Sequence, residues 1–360
     1  MISLFGNKKI QAFGLDISDA SIKVMNLRRR EQSLIPDAFA DQPLPPKIIS
    51  NHVIANERRL AESITYAVNK AGKLETKYVV ASLPEAKSFV RLLSMAAMSD
   101  AEIDGAIPWE LEQDIPVPVD QVYLDWEVVA KTGDKLTVLV AATQKDYVDS
   151  LVESLKLAHL RPVALELESQ AVARCVVGLQ EAKETVLILD IASVQTTFII
   201  VEDGVLKYTS SIGVAGNALT ESIARSLGIS AAEAEKLKKD TGLVLESRRN
   251  VRQAILPILD NIIDEIKNVA RFHEEHSASR KPISKILLCG GSARLAGVAD
   301  YVSTRVNLGS GKPLGKVQLG NPWSNLAITK IDKSVPQTPE QALSFTTAIG
   351  LALRGVIHGS

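Results

Sequence analysis

Apolar residues are grouped along the chain in short runs that predict alternating strands and helices. Residues 13–27 contain an apolar run, a carboxylate at Asp16, a short polar turn and a second apolar run. Residues 187–201 repeat that layout around Asp190, and 190 − 16 = 174 positions is close to half of the 360 residues. Either hairpin alone would be an ordinary element, but the matched pair predicts two similarly built α/β lobes.

The stretch between the two hairpins predicts an inserted α+β unit. After a buried strand at 77–84, Ser99 and Glu102 have the spacing of a capping box, which predicts a helix start. Pro108 is expected to kink or break that helix. The remaining predicted elements are strands near 122–130 and 135–142, joined by a turn at Thr132–Asp134, and a helix with Tyr147, Leu151 and Leu155 on one face.

The second half predicts a helical region followed by a strand with a glycine turn. Ser230 and Glu233 form another capping-box pattern, and a long helical pattern follows from about 248 to 277. Residues 284–291 read as a buried strand that runs into a Gly-Gly turn and a helix. The chain closes with a helix of small residues, ALSFTTAIGLALRG.

Composition excludes several classes of protein. The chain has 41 Lys plus Arg against 42 Asp plus Glu, so its formal net charge of −1 does not favour a nucleic-acid binder. A hydrophobic content of 46% with 23% charged residues is typical of a folded globular protein. No apolar run approaches the ~18 residues of a membrane-spanning helix, and the N-terminal residues do not have the pattern of a secretory signal.

The cysteines and histidines do not form a catalytic pattern. Cys175 and Cys289 are far apart in apolar surroundings, which predicts two buried, reduced thiols. His273 and His276 lie on a charged helical stretch without metalloprotease spacing, so we expect them on a solvated face rather than in a metal site.

The two acidic hairpins and the glycine turn resemble the actin-like ATPase superfamily, which includes sugar kinases, Hsp70 chaperones, actin and FtsA. Asp16 precedes Lys23 by seven residues and Asp190 precedes Thr196 by six, as in the two phosphate loops of the superfamily. Gly290, with Gly291 and Ser292, resembles the adenosine motif. Turn N–H groups and paired carboxylates suit a nucleotide with Mg²⁺.

The inserted unit gives a more specific resemblance. The run from LPEAKSFVRLL to DQVYLDWEVV, together with IGVAGNALTESIARSLGISAAEAEKLKK and LLCGGSARLAGVADYV, is similar to the type IV pilus assembly protein PilM family. These segments span nearly the whole chain in the order found in that family. The resemblance implies an actin-like ATPase fold of two duplicated α/β lobes, with an FtsA-like insertion in the first lobe and a helical subdomain on the second. The implied division is 1–84 with 159–184 and 335–360 for the first lobe, 85–158 for the partner-binding insertion, 185–225 with 280–334 for the second lobe, and 226–279 for its helical subdomain.

The resemblance also implies a partner and a location. Members of the family act in twitching motility as cytoplasmic proteins on the inner membrane, where they bind the short N-terminal cytoplasmic tail of the bitopic protein PilN. Other pilus assembly components and a homo-oligomer are further implied partners. Phe89, Trp109 and Ile115 are candidates for the tail-binding groove, and packing inside the subdomain's own core is an equal alternative for each of them.

The implied cofactor is ATP or ADP with Mg²⁺ between the lobes. Asp16 and Asp190 would orient Mg²⁺ through water, Lys23 would reach phosphate oxygens, and Thr196 would donate to a phosphate. The residues implied to line the nucleoside are Gly290, Gly291 and Ser292, with Glu235 and Lys238 in the position where related ATPases touch adenosine.

Two of these assignments carry alternatives or depend on a weak match. Glu235 and Lys238 are equally well explained by an exposed salt bridge three residues apart on a helix. Glu166 or Glu168 would orient an attacking water, so a catalytic residue is not fixed.

Both phosphate loops depart from the family pattern. The glycine that usually follows Asp-Ile is replaced by Ser18 in the first loop and by Ala192 in the second. If either position needs a left-handed backbone, the loss costs about 1–2 kcal/mol, and a Cβ can crowd the phosphates. We therefore expect weak nucleotide binding and at most a slow ATPase, with the nucleotide as a structural or switching ligand.

Two other functions remain open at this stage. An FtsA-like filament former shares the superfamily and the insertion, but the C-terminal residues have no basic amphipathic face for membrane anchoring. A small-molecule kinase would need a catalytic base, for which the chain offers no clear candidate.

Overall fold

The computed structural model describes residues 11–30, 33–112, 115–244, 249–277, 279–308, 313–326, 336 and 338–357. The chain divides into two compact units. The first comprises Met1–Asn26, Ala38–Glu168 and Arg354–Ser360, and the second comprises Leu27–Asp37 and Ser169–Leu353.

Strands and helices alternate through both units. The strands are β1 (Phe13–Ile17), β2 (Ser21–Arg30), β3 (Ser33–Pro43), β4 (Ile49–Ser50), β5 (Val53–Ile54), β6 (Tyr78–Leu83), β7 (Ser88–Ala96), β8 (Val122–Thr132), β9 (Lys135–Gln144), β10 (Arg161–Leu167), β11 (Thr185–Ile191), β12 (Thr196–Glu202), β13 (Val205–Ile212), β14 (Lys285–Cys289) and β15 (Lys316–Leu319). The helices are α1 (Glu57–Ala71), α2 (Asp100–Leu111), α3 (Lys145–Leu157), α4 (Glu168–Val176), α5 (Gly216–Leu227), α6 (Ala231–Thr241), α7 (Arg249–His276), α8 (Val298–Asn307), α9 (Pro339–Ala342) and α10 (Thr346–Ile357).

The same five-stranded sheet is built twice. One sheet has the order β10-β6-β1-β2-β3 and the other has the order β15-β14-β11-β12-β13. In each, an antiparallel hairpin is joined to a parallel strand, since β1 pairs with β2 and β6, and β11 pairs with β12 and β14. All five residues of β1 are buried, as expected for a central strand covered on both faces. The predicted duplication is therefore confirmed.

The inserted unit is a three-stranded antiparallel sheet, β7-β9-β8, covered by α2. Ile103, Ile107 and Leu111 line the buried side of α2 and pack in one core cluster with the strands, including Val138 and Val140 on β9. The helix continues through Pro108 and ends at Leu111, so the break expected at Pro108 does not occur. The Glu102 carboxylate accepts the Ser99 N–H at 2.8 Å, as the capping box predicts.

Helix α3 follows the insertion and belongs by its contacts to the neighbouring part of the first unit. Its Ser150 hydroxyl donates to the Glu57 carboxylate on α1 at 3.0 Å, while Tyr147, Leu151 and Leu155 are buried as predicted. The insertion boundary at 158 and the other subdomain boundaries remain predictions.

Four helices, α5 to α8, pack with the second sheet in one core cluster of the second unit. Helix α7 buries one face along most of its length, with Ile255, Ile262 and Ile266 in that cluster. The Ser230 capping box is complete, since the Ser230 hydroxyl and the Glu233 side chain each receive a backbone N–H. After β14, a 3₁₀ turn at Gly291–Arg294 delays the predicted helix to Val298.

The solvated face predicted for both helical histidines is wrong for His273. That residue is 5% exposed, with Nε2 2.9 Å from the Lys281 carbonyl and 3.9 Å from the Glu202 carboxylate. His276 is exposed and stacks on Phe272. The loop that follows α7 covers His273, which the helical pattern alone does not reveal.

Both cysteines are free and buried, as predicted. Burial raises the thiol pKa of Cys175 and of Cys289, and the nearby Asp190 charge adds to the effect for both. Protonated, buried thiols are poor nucleophiles.

Gly350 is required by the close approach of α10 to α4. A Cβ built on Gly350 would collide with the Ala171 carbonyl, whereas one on Gly105 in α2 would meet nothing within 4 Å. We expect Gly350→Ala to lower the free energy of unfolding by about 1–3 kcal/mol or more, because the helices must move apart. Gly105→Ala, the control, should be neutral or stabilising, since alanine is the better helix former. Denaturant unfolding of both variants checks this, and equal stability would contradict it.

Candidate functional site

Asp16 is held at the end of a buried strand by a hydrogen bond from the neighbouring strand. The Ser82 hydroxyl on β6 donates to Asp16 Oδ1 at 3.2 Å and accepts the Ile17 N–H at 2.9 Å. The hairpin register sets Lys23 directly opposite Asp16. Lys23 therefore lies across the hairpin from Asp16, while its predicted contact with phosphate oxygens stays a prediction, and Ser82 is a residue that the sequence pattern did not reveal.

Burial controls the charge of Asp16. Loss of solvent raises the pKa of its carboxyl, while Lys23 and the Ser82 hydroxyl act in the opposite direction without cancelling the effect. A carboxylate that has lost its water is stabilised by a nearby cation. This position therefore suits a carboxylate that faces a hydrated metal ion.

Ser18 closes the first turn without backbone strain. Its N–H and its hydroxyl both donate to the Ser21 carbonyl, at 3.0 and 3.1 Å, and its hydroxyl accepts the Ser21 N–H at 3.2 Å. The Ser21 hydroxyl in turn accepts from Lys23 Nζ at 2.7 Å. Ser18 is not among the described residues with positive φ. The conformational cost expected for its missing glycine is therefore absent.

The second loop is built from backbone bonds around Ala192. Its N–H donates to the Gln195 carbonyl at 3.1 Å, and its carbonyl accepts the Gly216 N–H at 3.1 Å and the Ser292 hydroxyl at 3.2 Å. Ala192 also lacks a positive φ. As for Ser18, the left-handed backbone penalty does not apply, and only the extra Cβ distinguishes the loop from one with glycine.

Gly290 is the essential glycine of the predicted adenosine motif. Its φ is +83°, and a Cβ there would collide with the Asp190 carboxylate and lie 2.6 Å from the Ile191 carbonyl. Gly291 has no positive φ, and the nearest atom to its Cβ position is 4.0 Å away. Gly290 thus lets the turn after β14 lie against the phosphate loop.

Gly216 is a second required glycine, which the sequence pattern did not single out. A Cβ on it would lie 2.5 Å from the Ser292 hydroxyl and 3.1 Å from the Ala192 carbonyl. The signal in the sequence is the run GVAG, whose last residue, Gly216, begins α5.

The Thr196 hydroxyl does not face solvent or a ligand. Thr196 is fully buried in β12, and its hydroxyl donates to the Val214 carbonyl at 2.7 Å. The expected donation to a phosphate is corrected accordingly: the hydroxyl fixes the segment that leads into α5.

Glu235 and Lys238 form the expected ion pair, but in a buried setting. Lys238 is 7% exposed, and its Nζ lies 2.7 Å from Glu235, 2.9 Å from the Gly216 carbonyl and 2.8 Å from the Thr220 hydroxyl. Against the opposing effect of burial, hydrogen bonds from Lys238 and Thr220 lower the pKa of Glu235 to about 2. The exposed setting expected for this salt bridge is therefore wrong for Lys238, which also donates to two residues in the first turns of α5, Gly216 and Thr220.

Glu166 is a buried partner of an arginine. Its carboxylate lies 2.9 Å from Arg354, with the Glu166 side chain 1% exposed. A buried, paired carboxylate is poorly suited to orient an attacking water, so this assignment is corrected to a structural ion pair. Glu168 begins α4 and is half-buried.

The three candidates for the partner groove differ in exposure. Ile115 is buried in a cluster with Val122 and Ala142, and Phe89 is half-buried against it. Trp109 on α2 is 78% exposed, as a large apolar surface in the inserted unit. Core packing therefore accounts for the apolar side chain at Ile115, but it does not account for the exposed apolar side chain at Trp109.

Neither a metal-binding cluster nor a membrane-spanning helix occurs among the described residues. They contain no group of three or more His, Cys, Asp or Glu side chains arranged to hold a metal ion. Within the same residues, no helix has the length and apolar character needed to cross a membrane.

The family of this chain follows from its match to a protein-family model. The chain matches the model of the type IV pilus assembly protein PilM over residues 14–356. It is a member of the PilM family. A solved PilM–PilN type IV pilus biogenesis complex contains a chain that is 26% identical, with a TM-score of 0.82, over 97% of this chain and 99% of that chain.

Two more distant structures show the fold of this PilM-family chain. The ethanolamine utilization protein EutJ from Carboxydothermus hydrogenoformans is 16% identical, with a TM-score of 0.56, over 95% of this chain and 89% of its own. MreB 5 of Spiroplasma citri bound to AMPPNP is 14% identical, with a TM-score of 0.51, over 89% and 94%. The predicted actin-like ATPase fold is confirmed.

The raised pKa of Asp16 gives a pH-dependent prediction for stability. The folded protein binds this proton more tightly than the unfolded chain, so the group favours folding below about pH 3.8, and this contribution is lost as the pH rises through the folded-state pKa. Asp16→Asn keeps an acceptor for Ser82 without the charge. We expect its melting temperature at pH 7 to exceed wild type by about 2 °C or more.

Thermal unfolding from pH 7 down to pH 4 checks this, because the advantage of Asp16→Asn should shrink as wild-type Asp16 becomes protonated. The exposed Asp264→Asn variant is the control and should track wild type throughout. An Asp16→Asn protein that melts at or below wild type at pH 7 would refute the argument.

Proposed function

We propose that this chain is a cytoplasmic adaptor of a type IV pilus assembly complex, located at the inner membrane through the N-terminal tail of a PilN-like bitopic protein. The main support is the solved PilM–PilN complex, to which the chain is similar over 97% of its length. An adaptor that takes its membrane attachment from a partner needs no anchoring helix of its own.

The inserted unit is the proposed tail-binding part. Its three-stranded sheet buries its own core, including Ile115, so the binding surface consists of side chains outside that core. Trp109 supports this assignment best, because a tryptophan that is 78% exposed leaves a large apolar surface in water. Half-buried Phe89 is the second candidate. Side chains of a short extended peptide would cover such residues.

We further propose that the two phosphate loops bind ATP or ADP with Mg²⁺. The residues present suit this ligand: Asp16 is a buried carboxylate with Lys23 opposite, and Gly290 leaves room beside Asp190. In the described part of the chain, the N–H groups of Ser193 and Val194 have no protein acceptor, so they are available to phosphate oxygens. A bound nucleotide with Mg²⁺ would supply the charge that stabilises these carboxylates.

The nucleotide is proposed as a structural or switching ligand. Glu166 is poorly suited to orient an attacking water, since it pairs with Arg354, and Glu168 stays the other candidate. Ser18 and Ala192 add side-chain atoms where glycine usually faces the phosphates. Affinity is therefore limited by crowding at these two Cβ atoms and not by backbone strain.

Trp109→Ala tests the adaptor assignment. We expect about a tenfold or greater loss of affinity for a synthetic N-terminal tail peptide of the bitopic pilus protein, because truncation of a buried tryptophan anchor typically costs 2 kcal/mol or more. Titration calorimetry measures it. Leu179→Ala, at an apolar residue 93% exposed in the second unit, is the control and should bind as wild type. Absence of peptide binding by the wild-type chain would overturn the adaptor assignment.

Titration with ATP and Mg²⁺ tests the nucleotide site. Gly290→Ala is expected to abolish binding because its Cβ collides with Asp190, while Gly105→Ala should leave binding unchanged. Phosphate release in the steady state should stay far below the ~10 s⁻¹ of a typical enzyme. Release at such rates, lost in Asp190→Ala, would contradict the role as a switching ligand.

A further inference from the structure

The inserted unit has a strong negative charge, although the net charge of the whole chain is close to zero. Residues 92–130 contain nine Asp and Glu and no Lys, Arg or His. With a total of −1, the rest of the chain has a formal charge of −1 − (−9) = +8. Such segregation of charge inside a nearly neutral protein indicates an electrostatic partner.

The charge is concentrated around Trp109 on the outer face of α2. The buried side of this helix packs on the sheet, which leaves Trp109, Glu110 and Glu112 exposed. Gly105 lies one helical turn before Trp109, and no atom lies within 4 Å of its Cβ position. The indole is therefore flanked by bare helix on one side and by carboxylates on the other.

Among the described residues, no ion pair neutralises the carboxylates of this face. None of the ion pairs formed among the described residues includes an acidic side chain of residues 92–130. The contacts that do exist come from neutral donors: Asp104 accepts the Trp126 indole N–H at 2.6 Å, and Glu102 accepts from Ser99. Like charges on one helix repel each other, so a cationic partner would relieve the repulsion.

We propose that the outer face of α2 binds the basic juxtamembrane segment of the same bitopic partner's tail, with an Arg or Lys of that segment over the Trp109 ring and its charge beside Glu110 and Glu112. A cation over an indole face is favourable, and carboxylates at its rim add to the attraction. This inference rests on the proposed function and adds the chemistry of the part of the tail that is recognised.

Two considerations favour this occupant. The cytoplasmic flanks of membrane-spanning helices carry an excess of Lys and Arg, so the part of a tail closest to the membrane is cationic. The inner leaflet is itself anionic, so it repels an acidic face and is not the ligand of α2. The acidic surface is therefore complementary in charge to the tail, whereas the anionic lipid repels it.

The test measures how tightly each of two proteins binds each of two peptides. The full-length chain and its Glu110→Gln/Glu112→Gln variant are titrated with a synthetic tail peptide that extends to the membrane span, and with the same peptide after every Lys and Arg is replaced by Gln. We expect the double variant to bind the basic peptide about fivefold more weakly, and to bind the neutral peptide as wild type does. The loss should shrink at high salt. Glu274→Gln/Glu275→Gln, two exposed acids on α7, is the matched control and should bind both peptides normally.

Each other outcome overturns the inference in a recognisable way. If wild type binds both peptides equally at low salt, the acidic face does not recognise the tail, while the adaptor assignment stands. An equal loss for both peptides in the double variant would mean that the carboxylates act on the fold, which thermal unfolding would reveal. If neither peptide binds wild type, both proposals fail. Binding to phosphatidylglycerol vesicles that Trp109→Ala loses would identify lipid as the ligand of this face.

Discussion

A carboxylate at the end of a buried strand is the constraint around which the first phosphate loop is built. Asp16 has lost most of its water, and a single neutral hydroxyl from Ser82 with Lys23 opposite only partly replaces it. Such a group destabilises the folded state at neutral pH, which a protein tolerates where the charge serves a ligand. Strand β1 holds Asp16 within one five-stranded sheet, and strand β11 holds Asp190 within the other.

The second loop holds Asp190, which is half-buried, by a different kind of packing. Asp190 lies against Gly290, whose lack of a side chain allows the following turn to approach the strand end. Lys238 and Ser292 then fix the neighbouring carbonyls of Gly216 and Ala192. A lysine that resembles a ligand contact in sequence is here an internal support, and its removal would displace the loop rather than a nucleotide contact.

The sequence predicted local features well and tertiary partners poorly, for a physical reason. Hairpins, capping boxes and buried helical faces depend on residues a few positions apart, and they are present as predicted. Thr196 bonds to Val214 and Lys238 to Gly216, which lie 18 and 22 residues away. Glu166 pairs with Arg354, 354 − 166 = 188 positions on. No periodicity encodes such contacts, so the roles of these three residues needed the fold.

The burial of both cysteines has a practical consequence. Neither Cys175 nor Cys289 presents a reactive thiolate, and the chain has no other cysteine. A single cysteine introduced at Gly105, where the space around the helix is open, would be the one thiol accessible to a maleimide dye. The native protein thus accepts a fluorescent reporter one turn from Trp109 without prior removal of its own cysteines.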